Sequence, residues 1–283
     1  MFRNKADRIP TTLFVLYFGV DLFVFFMAQS VWVVFFWMLL GIIPKAFVSA
    51  FNHHHQHVPT FNQKLHNRLM ELIFFFQTGI GSNGWFLHHV VGHHVNYLDQ
   101  EKDESRWKNE SGRTMGEMEY SLVVALTGYL RAFQAGRRFP SQQREFLGML
   151  GLTLSLLGVF FFYNWVNALF VFALPMMISL FITAWHTYSH HAGLDTDDDV
   201  QASYNIVDKW FNTLTGNLGY HTAHHMRPSL HWSRLPEFHR KIETRIPSHL
   251  YRRSPVRWLN PFLVYFNDTI RPFFGYRSGQ PAA

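Results

Sequence analysis

The sequence predicts an all-α integral membrane protein, with four transmembrane helices in two hairpins, interfacial helices and a cytoplasmic cap that carries clustered histidines. Three observations predict it. Two long stretches of the 283-residue chain are almost free of charge, fourteen of its 18 His fall in four short windows, and the cations gather on one side of the resulting hairpins. A single domain over 1–283 is the simplest division, since no low-complexity linker and no repeat beyond the two hairpins interrupts it.

Between Arg8 and Lys45 lie 36 residues whose only charge is Asp21, and between Glu145 and Asp195 lie 49 with no Asp, Glu, Lys or Arg. One bilayer crossing takes about 20 apolar residues, so each stretch holds a tight pair. Polar dips at Gln29-Ser30 and at Asn164-Trp165-Val166-Asn167 divide them into spans near 11–28, 31–50, 146–163 and 168–187, leaving segments 51–145 and 188–283 outside. Soluble helices rarely run so long without a charge, which disfavours two buried helices of a soluble protein. Asp21 has three open readings: a buried pair, a position at the outer interface, or a functional role.

Arg3, Lys5, Arg8, Lys45, Arg131, Arg137, Arg138 and Arg144 flank one side of the hairpins, and the two short turns opposite carry no charge. The positive-inside rule then places both termini and the large segments in the cytoplasm. No charged region, apolar core and small-residue cleavage site occur in that order, so the first span is expected to be retained. Residues 69–87, broken by Gly79, Gly81 and Gly84, suit a helix in the cytoplasmic interface, as do 121–135 and 255–274.

The histidine windows are His53, His54, His55 and His57; His88, His89, His93 and His94; His186, His190 and His191; and His221, His224 and His225. On a helix, residues three or four apart share a face, so His53/His57, His89/His93, His186/His190 and His221/His225 can each aim two imidazoles at one spot. The adjacent pairs His93-His94 and His224-His225 suit two neighbouring metals better than one. Neutral imidazole is a ligand for iron, zinc, copper or nickel. All four windows lie at or beyond the same ends of the spans and converge under one side of the membrane. His54, His55, His88 and His191 are the doubtful members, and His66, His231, His239 and His249 stand alone.

These windows resemble the histidine boxes of the integral-membrane fatty acid desaturase and alkane hydroxylase superfamily, over roughly residues 45–240. The first is His53-x-x-x-His57. The last, His221-Thr-Ala-His224-His225, continues Met-Arg-Pro-Ser-Leu as acyl desaturases do. The middle one departs: His89-Val-Val-Gly-His93-His94 is one residue longer than the common desaturase spacing and looks like that of membrane alkane hydroxylases. The resemblance implies a non-haem di-iron centre that activates O2 against an unactivated C–H bond. Its ligands, carried over position by position, are His53, His57, His89, His93, His94, His190, His221, His224 and His225. His186, where the family often has Asn, is a tenth candidate. Asp99, Asp103, Glu104 and the Asp195–Asp199 run are candidates to orient the rings, against the alternative of a solvated acidic loop.

The expected substrate is a fatty acid, a fatty acyl thioester or a lipid, held by shape in a Phe- and Trp-rich tunnel. Fatty acid desaturation is the foremost reaction; hydroxylation, acetylenic-bond formation and oxidative decarboxylation to a terminal alkene begin from the same hydrogen abstraction. Residues 226–283 carry ten Arg+Lys against three acids. Arg227, Arg234, Arg240 and Lys241 there suit a substrate head group, an acidic electron-transfer protein or anionic lipid, and no nucleic acid is expected.

The chain has no Cys, which excludes disulfides, thiolate zinc sites and iron–sulfur clusters of its own. It also lacks a fused haem carrier, so electrons are expected from a separate ferredoxin, rubredoxin or similar donor with its reductase. Gly79-Ile-Gly81-Ser-Asn-Gly84 matches a dinucleotide-binding pattern but lies between histidine windows rather than in a βαβ unit. The rival from another class is a histidine-rich metal transporter, which would place ligands in mid-span rather than at span ends.

Overall fold

A computed structural model describes residues 1–255, and the expected interfacial stretch 255–274 falls almost wholly outside them. Among the described residues there are helices and turns, with β pairing limited to isolated bridges. The helices are α1 (Arg8–Met27), α2 (Val31–His57), α3 (Lys64–Thr78), α4 (Glu117–Gly136), α5 (Pro140–Tyr163), α6 (Trp165–His191), α7 (Lys209–Thr215), α8 (His221–Met226) and α9 (Leu235–Ile242). Four of them, α1, α2, α5 and α6, are long and apolar enough to cross a membrane. Lipid supplies no hydrogen-bond partners, so a spanning segment must satisfy its backbone internally, as a helix does.

The two hairpin turns lie together. Asn164 caps α6 by accepting from the Asn167 backbone N–H, and the Asn167 side chain donates to the carbonyls of Phe25 and Ala28, each at 2.9 Å. The polar dip in the second apolar stretch thus closes the end of α1. Beneath it, Phe25, Val34, Phe76, Ala168 and Phe172 form the core of the spanning bundle. The last turn of α3 reaches into this core, where Phe76 packs against the rings of Phe18, Phe160 and Phe172. Gly79 ends α3 in the left-handed conformation (φ +72°), and a Cβ there would sit 2.8 Å from the Met176 carbonyl oxygen, so only glycine fits. This, rather than a nucleotide, accounts for the first glycine of the Gly79–Gly84 run.

The helices run on past the expected spans, as the helical spacing of His53/His57 and His186/His190 requires: α2 runs seven residues past 50 to His57, and α6 runs four past 187 to His191. Hydropathy marks the edge of the bilayer, whereas backbone hydrogen bonding carries the same rod beyond it. The expected cation count shrinks. Lys45 lies inside α2, and its ammonium donates to Asp21 at 2.9 Å with both side chains buried. Trp37 Nε1 donates to the other oxygen of Asp21 at 2.8 Å, so the buried-pair reading of Asp21 holds. Arg131 is buried in α4, bonded to Thr127 and to the Glu104 carbonyl. Neither residue is a flanking surface charge, which leaves six cations to argue orientation.

Candidate metal centre

The ends of α2 and α6, the segment before α4, and α8 bring the histidine windows together. One nitrogen from each of His53, His57, His89, His94 and His224 lies within 4.8 Å of the others, and the same limit holds for His93, His191 and His225. In the first group His53 Nε2 is 2.8 Å from His224 Nε2, and His89 Nε2 is 3.0 Å from His94 Nε2. Beside the second group, His221 Nε2 is 2.9 Å from His191 Nε2, the His190 ring stacks on His221 at 3.9 Å, and His186 Nε2 is 3.1 Å from His190 Nε2. The groups touch where His94 stacks on His225 at 4.1 Å.

Local backbone decides which ring goes where. Phe86–Val90 forms a π-helical turn, and the backbone N–H of His94 reaches the His89 carbonyl at 2.9 Å, an i→i+5 bond. The wider turn brings His89 to His94 and places His93 in the other group, while the His89 and His93 rings, joined by a backbone bond of 3.0 Å, still stack at 4.9 Å as helical spacing predicts. Gly92 permits the tight turn: a Cβ there would lie 2.3 Å from the His88 carbonyl oxygen. In α8, Thr222 faces away from the rings, accepting from Asn205 Nδ2 at 2.7 Å and donating its backbone N–H to Asn205 Oδ1. Ala223 beside it is fully buried against the α9 core. His221, His224 and His225 are left on the inward face, with the two adjacent histidines in different groups.

The nitrogens suit metal ions. Carbonyl oxygens only accept, so His190 Nδ1 at 3.1 Å from the Tyr204 oxygen and His191 Nδ1 at 3.0 Å from the Ala202 oxygen must carry their protons. His93 Nδ1 likewise faces the Asp103 carboxylate at 2.8 Å. The His190 and His191 rings then present a bare Nε2, and the Nε2 atoms of His93 and His191 face each other across 3.3 Å, a contact that a shared proton or an adjacent cation satisfies. Buried nitrogens without a protein partner point the same way: His57 Nε2, His94 Nδ1, His221 Nδ1 and both nitrogens of His225. Burial, then the neighbouring imidazoles, hold His89, His94, His221, His224 and His225 well below the ordinary histidine pKa. At neutral pH these rings are uncharged, the form a metal needs.

Of the acidic candidates, Asp103 alone bonds a histidine of the groups. It is 1% exposed and its Oδ1 also accepts the Ser105 N–H at 2.7 Å. Asp99 pairs with Lys102, and Asp195 with Lys108 at 2.6 Å. Asp199 accepts from Tyr97, whose ring covers His225 at 4.4 Å, a neighbour that histidine spacing does not reveal. Asp103→Asn is expected to weaken metal affinity about 10–100-fold, since it removes the charge that fixes the His93 tautomer. Metal titration against a competing chelator reads this, and unchanged affinity would assign Asp103 to folding alone.

The doubtful histidines separate. His191, set aside by spacing, joins the second group, and its signal was its adjacency to His190, the pattern already seen at His93-His94. His54 turns away and bonds the Thr215 carbonyl at 3.2 Å, while His55 bonds Thr60 at 2.9 Å and Glu71. His88 lies outside both groups. His231, with Trp232, holds Asp7 and so fastens the start of α1 to the cap. Arg227, Arg234, Arg240 and Lys241 are exposed and line neither cavity beside the histidines; Glu237 pairs with Lys241 at 3.0 Å and with Arg234 at 3.7 Å.

An apolar cavity of about 290 Å3 opens on the histidines between α2 and α6. It extends along α2 from Ile43 to His53, ten residues or about 15 Å of helix. Phe47, Ile182 and Trp185 line it, and His53, His89, His190 and His221 form its inner end. Its walls are apolar, and the clustered nitrogens stand at its end.

A family model described as fatty acid desaturase matches residues 29–266. No curated protein and no solved structure matches the chain.

Proposed function

The chain belongs to the fatty acid desaturase family, and from that premise we propose that it oxidises unactivated C–H bonds of a fatty acyl chain with O2 at a di-iron centre, desaturation being the outcome. The observation that carries the reading is the position of the paired histidine groups at the inner end of an apolar cavity between two membrane-spanning helices. His53, His57, His89, His94 and His224 would hold one ion. His93, His191 and His225, with His221, His190 and His186 adjoining, would hold the other. When bound, the iron ions supply O2 activation and the abstraction of hydrogen.

The protein's own part is placement. Asp103 and the carbonyls of Tyr204 and Ala202 keep protons on the outer nitrogens and lone pairs facing in. Phe47, Ile182 and Trp185 hold the chain and exclude water. A methylene offers no hydrogen bond, so position along the chain is set by cavity shape. Electrons come from a separate ferredoxin- or rubredoxin-like donor with its reductase, because the chain has no Cys to hold a cluster. Arg3, Lys5, Arg8, Arg137, Arg138 and Arg144 support a cytoplasmic site and cytoplasmic termini.

The test is mass spectrometry of lipids from expressing cells fed labelled fatty acids. Desaturation removes two hydrogens from the labelled chain, and added oxygen would instead indicate hydroxylation. Unaltered chains, with iron and a donor supplied, would contradict the oxidation reading, and full activity with zinc in both sites would end the di-iron part.

A further inference from the structure

Both nitrogens of His225 are buried and, among the described residues, neither has a hydrogen-bond partner. A metal-bound histidine ordinarily donates its outer N–H to a carboxylate or a carbonyl, which fixes the ring. The other members of the three-histidine group follow that rule, His93 at Asp103 and His191 at the Ala202 carbonyl. His225 is oriented by packing alone. Among the described residues six rings stand within 5.7 Å of it, and those of His93, His94, His191, His221 and His224 are themselves candidate ligands. The sixth is Tyr97, at 4.4 Å.

Tyr97 is held from two sides. It lies between His93 and Asp103 in a stretch of turns, where Asn96 Nδ2 donates to the Gly92 carbonyl at 3.0 Å and the Asp99 N–H to the Asn96 carbonyl at 2.7 Å. Its hydroxyl donates to Asp199 at 2.6 Å, across 102 residues of chain. Asp199 adjoins Val200, which is buried in the apolar core that also holds Ala223 of α8. The same loop presents the carbonyls of Ala202 and Tyr204 to His191 and His190. Residues 199–204 thus fix three rings beside the group: Tyr97 through a carboxylate, and two histidines through the backbone.

We propose that Tyr97 is the positioning residue of His225: its ring sets the angle at which the imidazole meets the second metal, and Asp199 sets the place of Tyr97. The proposal rests on the metal-centre reading above and deepens it. A tyrosine ring is rigid and turns about only two χ angles. With its hydroxyl anchored, it leaves the imidazole beside it little room to rotate.

The test is titration of the metal-free, full-length protein in nanodiscs with cobalt(II), whose visible absorption reports its ligand geometry. The parent is expected to take up one ion in each group. Tyr97→Leu should weaken one of the two ions by at least about tenfold, the lower end of what a lost outer partner costs, and alter its spectrum while the other ion stays as it was. Tyr97→Phe keeps the ring and loses the anchor. It should retain the parent spectrum and weaken the same ion about two- to tenfold, the worth of one hydrogen bond. Asp199→Ala should match it, and the two combined should add nothing, since both remove the same bond.

A merely structural role would weaken both ions alike and lower the unfolding midpoint of the metal-free protein, and that result overturns the proposal. Two ions indifferent to Tyr97, or a Tyr97→Phe spectrum as altered as that of Tyr97→Leu, overturn it as well. Should Tyr97→Leu fail to fold, Tyr97→Phe and Asp199→Ala decide, and additive losses or none sink the proposal. A parent that takes up fewer than two ions sinks the metal-centre reading and this proposal with it, whereas two ions that ignore Tyr97 sink only this one.

Discussion

His224→Ala and His225→Ala are each expected to lower turnover by more than about 100-fold, the upper end of what an outer partner such as Asp103 contributes, while depleting different metals. The two residues are neighbours in sequence and members of different groups: His224 faces His53 at 2.8 Å, and His225 lies with His93 and His191. The first substitution should empty the five-histidine group and the second the three-histidine group, read as metal content per chain before and after a mild chelator wash. The double variant should be no slower than either single variant, because groups that act as one unit do not add. A single variant that keeps both metals and most of its turnover would show that its histidine is not a ligand.

Much of this centre is legible in the sequence. Spacing brings the right windows together, and the adjacent pairs at His93-His94 and His224-His225 already ask for two sites. What spacing does not carry is the backbone geometry between ligands. His89-Val-Val-Gly-His93-His94 reads as an α-helical pair, yet the π-helical turn and Gly92 regroup its members. His191 looks expendable because periodicity favours His190, and only the carbonyl of Ala202, eleven residues onward, explains why it turns inward. The spans are legible for a simpler reason, since charge and apolarity are properties of the residues themselves. Where the helices end is carried by the histidine spacing rather than by apolarity, since α2 and α6 outlast their apolar stretches.

The second large effect concerns stability. Asp21→Asn or Lys45→Met alone is expected to destabilise the protein by about 3–5 kcal/mol, because each leaves the other charge buried without its partner. Asp21 is 0% and Lys45 1% exposed, in helices that cross the membrane, and the Lys45 ammonium also reaches the Val171 carbonyl at 3.4 Å in the π-helical part of α6. The double variant Asp21→Leu/Lys45→Met should recover most of the loss, since a well-packed apolar pair avoids the cost of desolvation. Unfolding in mixed micelles measures all three. Singles as stable as the parent would show that the pair is wet, and a double as weak as the singles would show that Trp37 and Val171 need the charges as partners.

α2 is one continuous helix from the first hairpin turn to His57, and α6 one continuous course to His191. Each therefore has one end seated in lipid and the other holding imidazoles. Spanning helices tilt to match bilayer thickness, and a tilt of these two displaces histidines at their far ends relative to those on α8, which does not cross. The separation of the candidate ligands on α2 and α6 from those on α8 is therefore expected to vary with bilayer thickness.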